Sequence, residues 1–164
     1  MPPWGRPAHC GAMKQYLAPL CLTLLFAFVA AGCGGPNTTT VGLNVELGGV
    51  SRSGDGKVEA TWRVVNPNIV PYLVAQATHR VYLDGVLVGT VSSKDALAVP
   101  ARSKAEQNSP LLLAGPAAER AVTAAAAAGS AAYRMESTII VRLYGDSTDK
   151  TELRGAGTVK VTAK

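Results

Sequence analysis

Hydrophobic and polar residues alternate with a period of two over several segments of this sequence. The clearest is Lys57–Val65, which would place four apolar residues on one face: Val58, Ala60, Trp62 and Val64. Because successive side chains of a strand point to opposite faces, this pattern predicts a strand with one buried face.

Further segments are predicted as strands from alternation and from the turn residues that separate them. These segments are Val41–Val50, Leu73–Leu83, Val86–Val91, Lys104–Leu113, Ser137–Tyr144 and Glu152–Thr162. Ser51–Gly56 supplies a polar turn, and Asp84-Gly85 predicts a tight hairpin because this dipeptide accepts positive φ at low cost. Gly155 and Gly157 are expected to mark a bulge or a close backbone approach.

One segment, Pro116–Ala128, shows no alternation, begins with proline and stops before Gly129. This combination predicts a helix, because proline is tolerated at the first helical position and glycine commonly follows the last. Seven short strands with hairpin signals predict a mainly β fold, a seven-stranded antiparallel β-sandwich, formed by residues 41–164. We expect the helix to close one open end or edge of this sandwich.

The first 32 residues are predicted to be a signal peptide. No charged residue lies between Lys14 and Glu46, and Leu17–Ala31 is an apolar run of 15 residues. A bilayer span takes about 20 apolar residues, so this run suits a signal peptide better than a membrane anchor. Met13 is an alternative start, since Lys14 would then directly precede the run.

The segment Ala30-Ala31-Gly32-Cys33 resembles the lipobox of bacterial lipoproteins, with Ala30 where leucine is usual. The resemblance implies cleavage before Cys33 and attachment of diacylglycerol to its thiol. Residues 33–40 are polar and rich in Gly, Pro and Thr, as a flexible tether would be. Gly34 implies, by the same resemblance, an outer-membrane lipoprotein that faces the periplasm or the cell surface.

Two other interpretations of the N-terminal segment stay open. It could be an ordinary secretory signal in which Cys33 is incidental. It could also be an anchor that is never cleaved, which Pro19 disfavours because it interrupts the apolar run.

Composition and charge exclude several classes of function. Only 16% of residues are charged and 48% are hydrophobic, which contradicts the signature of disorder. The formal net charge of +5 is scattered, without a basic run or a phosphate-binding loop, so we expect no nucleic acid partner. The three cysteines are Cys10, Cys21 and Cys33, so no disulfide is expected in the domain.

Few residues could carry chemistry. His79 is the only histidine beyond the signal segment, and it alternates with Val81 and Leu83 on the expected inner face. We therefore interpret it as a partly buried strand residue rather than a general base, and Asp84 as a turn residue. Dispersed carboxylates and one histidine predict no metal site, no cofactor and no enzymatic activity.

A family resemblance rests on the segments that follow the Trp62 strand. They are Asn66-Pro67-Asn68, Pro71-Tyr72, Val81–Gly89 and Val99-Pro100-Ala101. Together they resemble the atypical late embryogenesis abundant proteins of group 2, also called the water stress and hypersensitive response domain, over Val41 to Val161. The resemblance implies a sandwich close to the fibronectin type III arrangement with one helix, and an association with desiccation, salt and cold stress.

The motif Asn66, Pro67 and Asn68 is assigned a structural role from its chemistry. Pro67 holds Asn66 extended and removes a ladder N–H, and the two amides can satisfy backbone groups freed where the strand ends. A direct ligand-binding role for Asn66 and Asn68 is the alternative.

These features predict a non-enzymatic envelope lipoprotein, monomeric, whose domain protects protein clients or surfaces under water stress. Its expected partners are the membrane, through the lipid on Cys33, and protein clients; no small-molecule substrate is indicated. The alternative is an adaptor for outer-membrane assembly or transport, because sandwiches offer edge strands for β-augmentation. An enzyme is a third class, without a usable nucleophile and base.

Overall fold

The computed structural model describes residues 42–143 and 147–163. The signal segment, Cys33 and the tether of residues 33–40 lie outside these residues. The described part contains eight strands and one helix. They are β1 (Asn44–Arg52), β2 (Val58–Asn66), β3 (Tyr72–Leu83), β4 (Val86–Ser93), β5 (Leu97–Val99), β6 (Ser103–Leu113), α1 (Pro116–Ala128), β7 (Ser130–Arg142) and β8 (Thr148–Ala163).

The alternating pattern is confirmed in β2, where every second residue is buried: Val58, Ala60, Trp62 and Val64. In the predicted segment Val41–Val50, Leu43, just before β1, and Val45 and Leu47 within it are buried as well. The register between these two strands shifts between Leu47 and Gly49, so that Val50 faces the core. The alternation predicted for β1 therefore changes phase at this bulge.

The strands close into a barrel, which corrects the predicted sandwich. Strands follow the order β4-β6-β2-β1-β8-β7-β3, β3 also pairs with β4, and β5 pairs with the first residues of β3. The barrel thus has seven strands, and the prediction of a purely antiparallel sheet is wrong because β1 and β8 are parallel. A closed ring with an odd number of strands cannot alternate direction throughout, so at least one parallel pair is unavoidable.

Two joints in the barrel are short. The β1–β8 pairing spans Val50–Arg52 and the β4–β6 pairing spans Leu111–Leu113, three residue pairs each. Gly89 lies in the β4–β6 joint, where a Cβ would overlap the Leu112 carbonyl oxygen. Gly155 of β8 lies beside β1 before their paired residues, where a Cβ would overlap the Val45 carbonyl oxygen. The close approach expected at Gly155 is confirmed, and the β7–β8 ladder passes it without a bulge.

The helix covers one end of the barrel, as expected. It spans Pro116–Ala128, as predicted, and is followed by Gly129 with φ of 78°. It packs against β4, β8 and β7 through three buried residues: Ala118, Val122 and Ala125. Within residues 42–143 and 147–163, no helix is long and apolar enough to cross a membrane.

The opposite end of the barrel is here called the motif end. The end of β2 and the starts of β1, β3 and β6 lie there. Asn44 of β1 pairs with Val65, and Ser103 of β6 pairs with Asn66. Tyr72 at the start of β3 pairs with Val99 of β5. The register therefore brings the Asn-Pro-Asn motif, the entry of the chain into the domain and the β5–β6 connection to one place.

Candidate functional site

Asn66 is the last residue of β2 and organises the motif end. Its side chain is only 1% exposed. The amide nitrogen donates hydrogen bonds to the carbonyl oxygens of Val70 at 2.8 Å and Pro100 at 3.0 Å. The amide oxygen accepts the N–H of Asn68 at 3.0 Å. A single buried side chain thereby satisfies backbone groups of two loops.

A second bond joins the same two loops. The N–H of Arg102 donates to the Asn68 carbonyl oxygen at 2.8 Å. Arg102 has a φ of 51°, in the left-handed region that side chains other than glycine seldom adopt. This conformation is held by the tight turn between β5 and β6, and it places an arginine beside the motif.

Residues 67–71, here called the apolar loop, expose hydrophobic side chains to solvent. Ile69 is 73% exposed and Val70 is 48% exposed, and Pro67 and Pro71 are also exposed. The other large hydrophobic residues exposed in the described part, Val86 and Leu112, lie elsewhere. Contiguous exposed apolar residues are more informative than isolated ones, because larger apolar patches are typical of binding surfaces.

An open pocket of about 490 Å³ lies beside the apolar loop. Its lining, here called the basic pocket, consists of Val65, Asn66, Pro67, Arg102, Ser103 and Lys104. Residues 66–72 and 99–105 include two cationic side chains, Arg102 and Lys104, and no acidic residue. The motif end therefore combines an apolar tip with local positive charge, which suits an anionic surface.

Sequence reasoning did not select Ile69, Val70, Arg102 or Lys104 as functional residues. The available signal was an Ile-Val pair between two prolines, in a stretch too short and irregular to be a strand. Apolar residues in such a connection are unusual because loops run over the surface.

His79 lies inside the barrel and is fully buried. Its ring centroid is 4.4 Å from that of Trp62, and its Nδ1 is 2.7 Å from Ser137 Oγ. Nε2 has no hydrogen-bond partner among the described residues. Burial lowers the pKa of His79 to about 4, so the imidazole is neutral at pH 7.

The His79–Ser137 pair has the separation of a base and a nucleophile but not their accessibility. Ser137 is also buried. A nucleophile must reach a substrate, and its base is normally oriented by a third group. Both requirements are unmet here, and the expectation that His79 is an inner-face strand residue is confirmed.

The remaining candidate residues for chemistry are the carboxylates, including Asp84, and Cys33. Asp84 occupies the β3–β4 turn with φ of 45°, and its carboxylate accepts the N–H of Ala132 at 3.0 Å. Among the described residues, no group of three or more His, Cys, Asp or Glu side chains is close enough to hold a metal ion. Cys33, the predicted lipid attachment site, lies outside the described residues.

A second pocket, of about 510 Å³, lies on the outer face of β3, β7 and β8. Its lining includes Arg80, Glu136, Glu152 and Arg154. Glu136 is paired with Arg80 at 3.7 Å and with Arg134. The Arg134 guanidinium in turn stacks on the ring of Tyr82 at 3.8 Å from its centroid. Much of this face is therefore a charge-compensated side-chain ladder.

Comparison with known proteins gave structural neighbours only. No family model and no curated protein matches the sequence. A protein of Archaeoglobus fulgidus with a crystal structure aligns over 72% of this chain and 94% of its own, with 16% identity and a TM-score of 0.38.

Two solution structures align similarly. A putative late embryogenesis abundant protein aligns over 96% of this chain and 97% of its own, with 9% identity and a TM-score of 0.43. A protein of Arabidopsis thaliana aligns over 73% and 78%, with 15% identity and a TM-score of 0.42. One of these structural neighbours therefore has the family name that the motif suggests.

Proposed function

We propose that this protein is a non-enzymatic, lipid-anchored envelope protein whose β-barrel domain protects clients or surfaces during water stress. The observation that carries the proposal is the placement of Asn66. Asn66, the first residue of the motif on which the family resemblance rests, is buried and joins two loops. These loops present apolar and cationic side chains to solvent. Such an arrangement suits reversible binding rather than bond chemistry.

The absence of catalysis is supported by the surroundings of His79. At pH 7 the imidazole is neutral, and both it and Ser137 are enclosed by the barrel. A substrate would have to open the barrel to reach them. We therefore expect purified protein to show no turnover of common ester, phosphate or peptide substrates.

The lipid anchor is tested directly by metabolic labelling with a palmitate analogue. We expect the protein to be labelled and Cys33→Ser to abolish the label, because the lipobox supplies a single acceptor thiol. Cys21→Ser is the matched control, since Cys21 lies within the apolar run and should not affect acylation. Label that persists in Cys33→Ser would overturn the anchor.

Protection is tested in a deletion strain subjected to drying and to high salt. We expect reduced survival, restored by the wild-type gene and restored less well by the Cys33→Ser gene. A deletion strain that survives both treatments as well as its parent would contradict the protective function.

The adaptor function loses part of its basis. It relied on the free edge strands of a sandwich, whereas the observed ring joins β3 to β4 and β1 to β8. Among the strands of residues 42–143 and 147–163, only β5, of three residues, is added outside this ring. Strand addition by a partner is therefore less suited to this domain than contact through its loops.

A further inference from the structure

We propose that the apolar loop and the basic pocket form a membrane-docking site that binds the surface of an anionic phospholipid bilayer. Ile69 and Val70 would enter the interface, while Arg102 and Lys104 contact headgroup phosphates. The inference rests on the proposed lipid anchor and adds to it a second, weaker contact that orients the domain.

Several backbone groups of the apolar loop are already hydrogen-bonded within the domain. Unpaired backbone N–H and C=O groups are costly to move into an apolar phase. Here the carbonyls of Asn68 and Val70 accept bonds from Arg102 and Asn66, and the N–H of Asn68 donates to Asn66. The two prolines that flank Ile69-Val70 have no N–H at all.

Charge favours the same occupant. A bilayer surface that contains anionic lipids attracts nearby Lys and Arg side chains. Arg102 and Lys104 are exposed beside the apolar loop, with no acidic residue in residues 66–72 or 99–105. The cations would thus lie among the headgroups, and the apolar side chains would lie at the boundary with the acyl chains.

The tether leads to this end of the barrel. Gly42 lies beside the motif, since a Cβ there would be 3.4 Å from Asn68 Oδ1. Gly42 is nine positions after Cys33 in the sequence, a reach of at most about 30 Å. A lipid on Cys33 therefore keeps the bilayer within reach of the apolar loop and raises its effective concentration there.

The size of the apolar loop favours a bilayer over a protein partner. Two large apolar side chains and two cations cover much less than the roughly 800 Å² that each partner buries in a stable protein complex. A weak contact of this size becomes significant when an anchor already holds the two surfaces together.

The test uses the full chain in living cells. A photoreactive diazirine amino acid replaces Ile69 in one strain and Leu112 in another. Leu112 is the matched control because it is 69% exposed, close to the 73% of Ile69, but lies on β6 away from the motif end. After irradiation, the adducts are identified by mass spectrometry, and acylation of Cys33 is measured in the same samples.

We expect phospholipid adducts at position 69 and much fewer at position 112. Adducts of position 69 with a protein would overturn the proposal in favour of a protein partner. Equal lipid adducts at both positions, or none at either, would overturn it as well.

The acylation measurement separates this inference from the proposed anchor. Acylated Cys33 without lipid adducts at position 69 refutes the docking site and leaves the anchor intact. Lipid adducts at position 69 without acylation refute the anchor and leave the docking site intact.

A charge reversal tests the role of the basic pocket. Arg102→Glu with Lys104→Glu should lower the lipid adducts at position 69 at least about fivefold, the factor expected for loss of one cation at an anionic surface. Arg120→Glu with Lys160→Glu, two exposed cations on α1 and β8, is the matched control and should leave the yield unchanged. Equal loss in both double variants would refute the contact with headgroups.

Discussion

His79 illustrates how a single residue inside the barrel affects stability. The ring lies against Trp62 and bonds Ser137, but its protonated form would be a buried charge without an acidic partner among the described hydrogen bonds and ion pairs. Burial lowers the pKa of His79 from 6.5 to about 4. Between these two values the unfolded chain binds more protons than the folded one, so acid favours unfolding.

We predict that the free energy of unfolding decreases as the pH falls from about 6.5 to about 4, with about 3 kcal/mol of that decrease due to His79. Above about pH 6.5, the pKa of the unfolded chain, His79 is neutral in both states and its effect on the free energy of unfolding no longer changes with pH. His79→Phe combined with Ser137→Ala should remove this part of the pH dependence, whereas Ser137→Ala alone should keep it. Urea unfolding monitored between pH 4 and 7 measures the difference; identical pH profiles in parent and double variant would contradict it.

Asn66 acts at the same scale but through hydrogen bonds. Asn66→Ala would remove its bonds to the loops while leaving β2 in place, at a cost of roughly 1–3 kcal/mol in the free energy of unfolding. Asn108→Ala on β6 removes only a solvent-exposed hydrogen bond, from the Thr61 hydroxyl, and should change this free energy by less than about 0.5 kcal/mol. Equal midpoints of denaturant unfolding for the two variants would show that the motif does not stabilise the loops.

At the scale of elements, the two short joints of the barrel depend on glycine. Gly155→Ala would drive a methyl group into the Val45 carbonyl oxygen and force β1 away from β8, which we expect to destabilise the domain by roughly 1–3 kcal/mol. Gly49→Ala is the control, because the nearest atom to its Cβ would be 3.9 Å away, in Thr61. Thermal unfolding of both variants tests this, and a Gly155→Ala variant as stable as the parent would refute a close-packed joint.

Local patterns predicted most elements of this fold. The helix bounds, the Asp84-Gly85 hairpin and the inner face of β2 all depend on residues close together in the sequence, and all are confirmed. β7 begins at Ser130 rather than Ser137, although Ala131, Tyr133 and Met135 already alternate towards the core. This signal was hard to recognise because β7 directly follows the helix and begins with small residues.

Closure of the barrel could not be predicted in the same way. The joint between β1 and β8 pairs Val50 with Val161, more than a hundred positions apart, and no residue pattern near either strand specifies the other. β5 has only three residues, too few to show a period. The docking residues were missed for a related reason, because Ile69 and Arg102 become neighbours only through the bonds of Asn66 and Asn68.

At the scale of the whole molecule, stability is expected to depend on neither a metal ion nor a disulfide. Residues 42–143 and 147–163 contain no cysteine, and no metal-binding cluster is found among them. We therefore predict that a chelator and a reductant leave the melting temperature of the protein unchanged. A decrease with either reagent, measured by circular dichroism, would reveal a metal or a disulfide that contributes to folding.

The parallel joint between β1 and β8 also sets the order of events in synthesis. The first strand completes its pairing with residues 161–163, so the ring cannot close before these residues have left the ribosome. Contacts between distant segments also form slowly, since a long loop must be closed first. The export proposed above would make use of this delay, because the chain could enter a secretion channel before the ring closes.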